Sequence, residues 1–232
     1  MKKLITRLLL VVLFIFSFSV IYLTLVGIET IKFNNQISKE LKKIDNNLKV
    51  DLKKIKIILD PFEFKLNVKT LGPKLKIKDK TIDIESIKTE ISLNSIFTNN
   101  FSLTNLMIST RSLELKNLVS FSRHIKNTPE LYVLEKIIKR GYFIADIFLE
   151  FDPQGKIKKN FNVKGSLRNL RLSLLKKYEI DKLNLKFDFN EKNLSLVDIN
   201  LLLNNLKINS NKINIKEKDN IFFVDGVFEN KN

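Results

Sequence analysis

Leu8 to Val26 is an unbroken run without a charged residue or a proline. Folded as a helix at ~1.5 Å rise per residue, it is about as long as the hydrocarbon core of a bilayer is thick. Lys2, Lys3 and Arg7 precede it, and the positive-inside bias predicts a cytoplasmic N-terminus with the bulk of the chain across the membrane. A cleaved signal peptide would carry a shorter apolar run ahead of a small-residue cleavage site. Ser17-Phe18-Ser19 is the one tempting site, and the apolar run passes straight through it. Residues 1–28 are therefore read as a cytoplasmic stub and a single transmembrane anchor.

The rest of the 232 residues suffices for one domain of ordinary size with a real core. The absence of cysteine excludes disulfides and thiolate metal sites. A bacterial periplasm tolerates this, whereas a small secreted eukaryotic domain is usually stapled. Lys and Arg number 41 against 25 Asp and Glu, a formal charge of +16. Such a surface favours anionic partners, and the nearest one beyond an anchor is the lipid headgroup layer. A genome-wide bias towards Lys, Asn and Ile would produce the same charge, so both readings stay open. Nucleic acid is disfavoured: there is no tryptophan, no recognition motif, and the compartment is wrong.

Phe33, Ile37, Leu41 and Ile44 recur at helical spacing, which predicts an amphipathic linker helix over 29–46. From Leu48 the period changes to two, and residues 47–116 read as a first β segment of short half-buried strands. Within it, Phe62, Phe64, Leu66 and Val68 resume the alternation after Asp60-Pro61 and are assigned to one inward-facing strand. Asn94 to Asn100 is read as a loop or a single helical turn.

Residues 117–141 read as a helical insertion. Leu118, Phe121 and Ile125 sit three and four apart, and Thr128 is placed to cap a second helix with Pro129 at its first position and Glu130 in its first turn. Leu131, Leu134 and Ile138 would line one face, with Lys139 and Arg140 in the last turn and Gly141 terminating it. Residues 142–232 read as a second β segment of the same sheet. Phe143, Ala145, Ile147 and Leu149 alternate up to a turn signal at Asp152-Pro153-Gln154-Gly155. The alternation returns through Leu185 and Phe187 and ends near Phe223 and Phe228 on an unprotected edge.

The predicted fold class is thus mainly β: an N-terminal transmembrane helix, then a curved antiparallel β-sheet, groove or half-barrel, with a short helical insertion. The one histidine, His124, lies on a polar helix face beside Arg123, where a solvated role is ordinary. Asp83, Glu85, Asp146 and Glu150 alternate with apolar residues as solvent-facing strand positions and form no converging pair or metal-spaced cluster. No phosphate loop or nucleophile motif is present. The expectation is a non-enzymatic protein with no catalytic residue, metal or cofactor.

Three stretches carry a resemblance: IDNNLKVDLKKIKIILDPFEFKLNV directly after the anchor, TIDIESIKTEISLNSIFTNNFSLTNLMIST, and GYFIADIFLEFDPQGKIKKNFNVKGSLRNLRL. Together they resemble the AsmA-like family of membrane-anchored envelope proteins, the AsmA, TamB and YhdP type. The resemblance consists of patterns over nearly the whole chain. It implies a long curved sheet with an apolar inner groove, in the periplasm on the inner membrane, with a part in phospholipid transport and outer-membrane homeostasis. Known members are much longer, so the chain would be a short member or the N-terminal part of a longer protein.

A one-faced apolar sheet has to bury that face. The periodicity alone leaves open an ordinary sandwich or half-barrel core and a groove completed by acyl chains. On the groove reading, Phe62, Phe64, Leu66, Phe143, Ile147, Leu149, Leu185 and Phe187 collectively contact phospholipid. The alternative is an assembly factor that pairs its C-terminal sheet edge with another envelope β protein.

Overall fold

A computed structural model of the chain describes residues 2–31, 34, 38, 46–52, 54–93, 103–152, 158–175, 177–219 and 221–230. Helix α1 (Lys2–Leu25) is long and apolar enough to cross a membrane. Only Val20, Leu23 and Thr24 on it are half-buried; the rest of its described side chains are exposed. Gly27 ends it with φ +75°, a conformation that glycine adopts without steric cost. Strand β1 (Ile28–Thr30) follows at once and pairs antiparallel with β3 (Ile55–Asp60). Of the expected linker helix, Phe33, Ile37, Leu41 and Ile44 lie outside the described residues. So do residues 94–100 and the turn residues Pro153, Gln154 and Gly155.

The fold class is as the period-two pattern predicts: mainly β, with one large antiparallel sheet that does not close on itself. After β4 (Lys65–Leu71) come β5 (Lys74–Ile77) and the long β6 (Lys80–Ser92), whose first half pairs with β5 and second half with β4. A side branch, β2 (Leu48–Asp51), pairs with β5. Beyond β7 (Leu103–Thr110) and β8 (Leu113–Glu114) lie the two short helices α2 (Leu115–Ile125) and α3 (Pro129–Ile137). Then a meander runs through β9 (Ile138–Glu150), β10 (Asn162–Leu174), β11 (Tyr178–Asn190), β12 (Asn193–Leu203) and β13 (Leu206–Lys218). The strands β14 (Ile221–Gly226) and β15 (Glu229–Asn230) both pair with β13 and make the last edge. The strand order is β1-β3-β4-β6-β7-β9-β10-β11-β12-β13-β14. Neighbours ~4.8 Å apart make this row about 48 Å across.

We call the end of the sheet that carries the β3–β4 turn the near end, and the opposite end, over which α2 and α3 pack, the far end. Thr128 caps α3 as its spacing predicts, accepting a hydrogen bond from Leu131 N–H. The helical insertion is shorter than expected. It spans 115–137, and Ile138, Lys139 and Arg140 already belong to β9. Gly141 does not terminate the helix. It sits within β9 at φ +144°, where a Cβ would come 2.9 Å from Leu170 Cα. Strand register, not helix capping, requires a glycine there.

Gly141 begins a line of irregularities that crosses four neighbouring strands. Asn169 in β10, Lys182 in β11 and Asp198 in β12 all adopt left-handed φ of +49° to +55°. The β9–β10, β10–β11 and β11–β12 registers shift beside these positions. Bulges bend a strand and increase its twist, so four in line fold the sheet rather than one strand. Asparagines pair the freed backbone groups. Asn169 N–H donates to Asn184 Oδ1 at 3.0 Å, Asn184 Nδ2 to Lys182 O at 2.8 Å, and Asn200 Nδ2 to Asp198 O at 3.0 Å.

Candidate functional site

The register aligns one apolar lane across the sheet. Ile55 faces Thr70, which faces Ile87, then Ile108 and Ile147. From Ile147 the lane continues through Val163, Phe189, Leu194 and Ile215 to Val224. Ten strands thus contribute one residue each to a single face. The intervening positions face the other way and are largely ionic, with pairs such as Lys164–Asp188 at 3.2 Å and Lys186–Asp198 at 2.8 Å. Ile55 and Thr70 are buried, Phe189 is 39 % exposed and Val224 67 % exposed, so the lane opens toward the C-terminal edge.

The helices divide this face unequally. Val119 of α2 packs with Ile138, Leu170, Leu183, Leu185 and Ile199 in one core cluster. Phe121 packs with Leu48, Ile77, Ile82, Ile84 and Leu113 in a second. Both clusters occupy the far half of the sheet. The near half, through Leu59, Leu66, Leu106, Leu149 and Phe189, belongs to neither cluster.

Of the residues read as lipid contacts, Leu66, Ile147 and Leu149 lie half-buried on this face, Leu66 and Leu149 in its near half. Phe143 and Phe187 share the face, stacked with their centroids 5.7 Å apart. Leu185 is 9 % exposed, shares a cluster with Val119 of α2 and belongs to the protein's own core. Phe62 and Phe64 require a correction. They occupy the turn between β3 and β4, which begins only at Lys65, and are 93 % and 65 % exposed. Asp60 Oδ1 accepts hydrogen bonds from the N–H groups of Phe62 and Glu63, both at 3.1 Å, and this Asx-type turn overrides the alternation. Phe189, which continues the alternation of Leu185 and Phe187 but was not among the residues read as lipid contacts, stands on the open part of the lane with Phe161 edge-on at 5.4 Å.

His124 Nδ1–H donates to the carbonyl of Ser120 one turn back at 2.8 Å. Beside it Arg123 pairs with Glu135, joining α2 to α3, and lies 4.9 Å over the Tyr132 ring. The Arg123 guanidinium holds the Glu135 carboxyl below its ordinary range. This cluster ties two helices together at the far end. Among the described residues no three His, Asp or Glu side chains gather as a metal site.

Fold and site together define a class: an open antiparallel sheet with a continuous apolar lane, joined directly to a helix able to cross a membrane. Comparison of the chain with protein-family models, with curated proteins and with solved structures gave no match.

Proposed function

We propose that this chain is an inner-membrane-anchored periplasmic protein that holds phospholipid acyl chains on the near half of the sheet's apolar face. It would serve lipid transport or outer-membrane homeostasis, as the AsmA-like resemblance implies. The observation that carries the reading is the apolar face shared by ten strands, whose near half, among the described residues, joins neither of the core clusters that α2 enters. An acyl chain needs only apolar surface, at about 25 cal/mol per Å² buried, and no particular polar partner. The direct test is mass spectrometry of phospholipid co-purified with the full chain in mild detergent. Stoichiometric lipid supports the reading, and lipid-free protein overturns it.

A second reading is favoured by one observation. Every residue of β14 is exposed, with Ile221, Phe222, Phe223 and Val224 in succession. Such an edge suits addition of a strand from another envelope β protein. Photo-crosslinkers at Phe223 that trap a protein, with no lipid on the purified chain, would select this reading.

A further inference from the structure

The β3–β4 turn places two phenylalanines in solvent where neither the turn nor the core calls for them. Phe62 is almost fully exposed, and Phe64 adopts φ +51°, which bulky L side chains seldom do. A tight turn at that position is met without strain by glycine or asparagine. The polar groups of the turn are tied to one another. Asp60 accepts from two backbone N–H groups, and Lys65 Nζ reaches Glu63 at 2.8 Å and Glu90 at 3.3 Å. The two rings are left exposed.

The position of α1 supplies the reason. Ile28 is in register with Ile57, and β1 runs antiparallel to β3, so the chain arrives from the side of Asp60. A Cβ on Gly27 would come 2.9 Å from Ile58 Cγ1, which puts the end of α1 against β3 itself. Between Ile57 and the turn lie only Ile58, Leu59 and Asp60, about 10 Å of strand. The apolar helix leaves the domain at the end of the sheet where the aromatic turn protrudes.

We propose that Phe62 and Phe64 insert into the surface of the bilayer that α1 crosses, and so hold the near end of the sheet at the headgroup region. Exposed aromatic and aliphatic side chains beside a membrane helix partition into this interface. The inference rests on α1 as a membrane anchor, part of the proposed function, and not on the lane taking lipid.

The chain contains no tryptophan, so a single introduced one reports its own surroundings. The full chain carrying Phe62→Trp is reconstituted into phosphatidylcholine–phosphatidylglycerol vesicles, with and without lipids brominated near the top of the acyl chains. The expected result is blue-shifted emission that the bromolipids quench. Leu175→Trp, 89 % exposed on the far-end turn after β10, is expected to emit at the solvent-exposed wavelength and stay unquenched. Phe16→Trp within α1 reports the anchor and is quenched by deeply brominated chains. If Phe62→Trp behaves like Leu175→Trp while Phe16→Trp is quenched, the proposal is overturned and the anchor stands. If Phe16→Trp is unquenched as well, the anchor reading fails and the proposal with it. Neither outcome alters the count of co-purified lipid, which tests the lane separately.

Discussion

Phe143 and Phe187 stack at 5.7 Å with their rings 19° from parallel, although β10 lies between their strands. Gly165 permits this. It pairs with Ala145 on one side and Phe187 on the other, and a Cβ there would come 2.8 Å from Phe187 Cζ and 3.0 Å from Ala145 Cα. Gly165→Ala should therefore destabilise the protein by about 1–3 kcal/mol, because one of its neighbours is backbone and cannot give way. Thermal unfolding of the full chain in detergent measures this, and an unchanged midpoint would count against the packing described.

Phe189 and Phe187 sit two residues apart on one face with different cover. Phe187→Asp buries a charge against the cluster around Leu185 and should prevent folding. Phe189→Asp, at a partly exposed site, should leave the sheet folded, by circular dichroism, and remove co-purified lipid. Lipid retained on folded Phe189→Asp would move the binding surface elsewhere.

Lys186 projects from the opposite face and pairs with Asp198, both side chains being more than 60 % exposed. Lys186→Ser should cost no more than ~1 kcal/mol and leave lipid content unchanged, since solvent screens such pairs. A large loss of stability would mean that the two faces have been assigned the wrong way round.

Thr70 lies in the lane between Ile55 and Ile87, is 5 % exposed, and its hydroxyl has no hydrogen-bond partner among the described residues. Thr70→Val keeps the shape and removes the unpaired group, and should stabilise the fold by ~1 kcal/mol. A lower unfolding midpoint would reveal a partner for the hydroxyl.

Acid should loosen the helix pair. The hydrogen bond from Arg123 holds the Glu135 carboxyl below its ordinary 4.5 in the folded chain. A depressed folded pKa contributes stability that is present above the unfolded value and lost as pH falls through the folded one. Stability should thus decline below about pH 4.5, and Glu135→Gln should flatten that decline while lowering stability at neutral pH. Unfolding midpoints measured from pH 7 downward test it; parallel curves for the two proteins would exclude the clamp.

The apolar helix, the period-two strands and the Thr128 cap were legible because each depends on neighbours close in sequence. Alternation reports which side chains share a face, and Thr128 with Pro129 and Glu130 marks a helix start by local hydrogen bonding. The same local logic misled at Phe62 and Phe64. An F-x-F-x-L pattern reads as one strand whether or not a turn interrupts it, and the carboxylate that makes the turn belongs to Asp60, before the pattern starts. Gly141 misled likewise: a glycine after a helix looks like a cap, while the close approach of Leu170 comes from a strand about thirty residues later.

Local sequence thus determined that this chain has an apolar helix followed by strands with one greasy face. Only the tertiary structure decided which part of that face is core. Leu185 and Leu149 occupy equivalent positions in an alternating pattern, yet Leu185 shares a buried cluster with Val119 of α2 and Leu149 joins neither core cluster. Period two fixes the face a side chain points to, but cover comes from α2, whose place is set by contacts with strands far away in the chain. The lane itself is also a product of register between ten strands, and no single strand carries it.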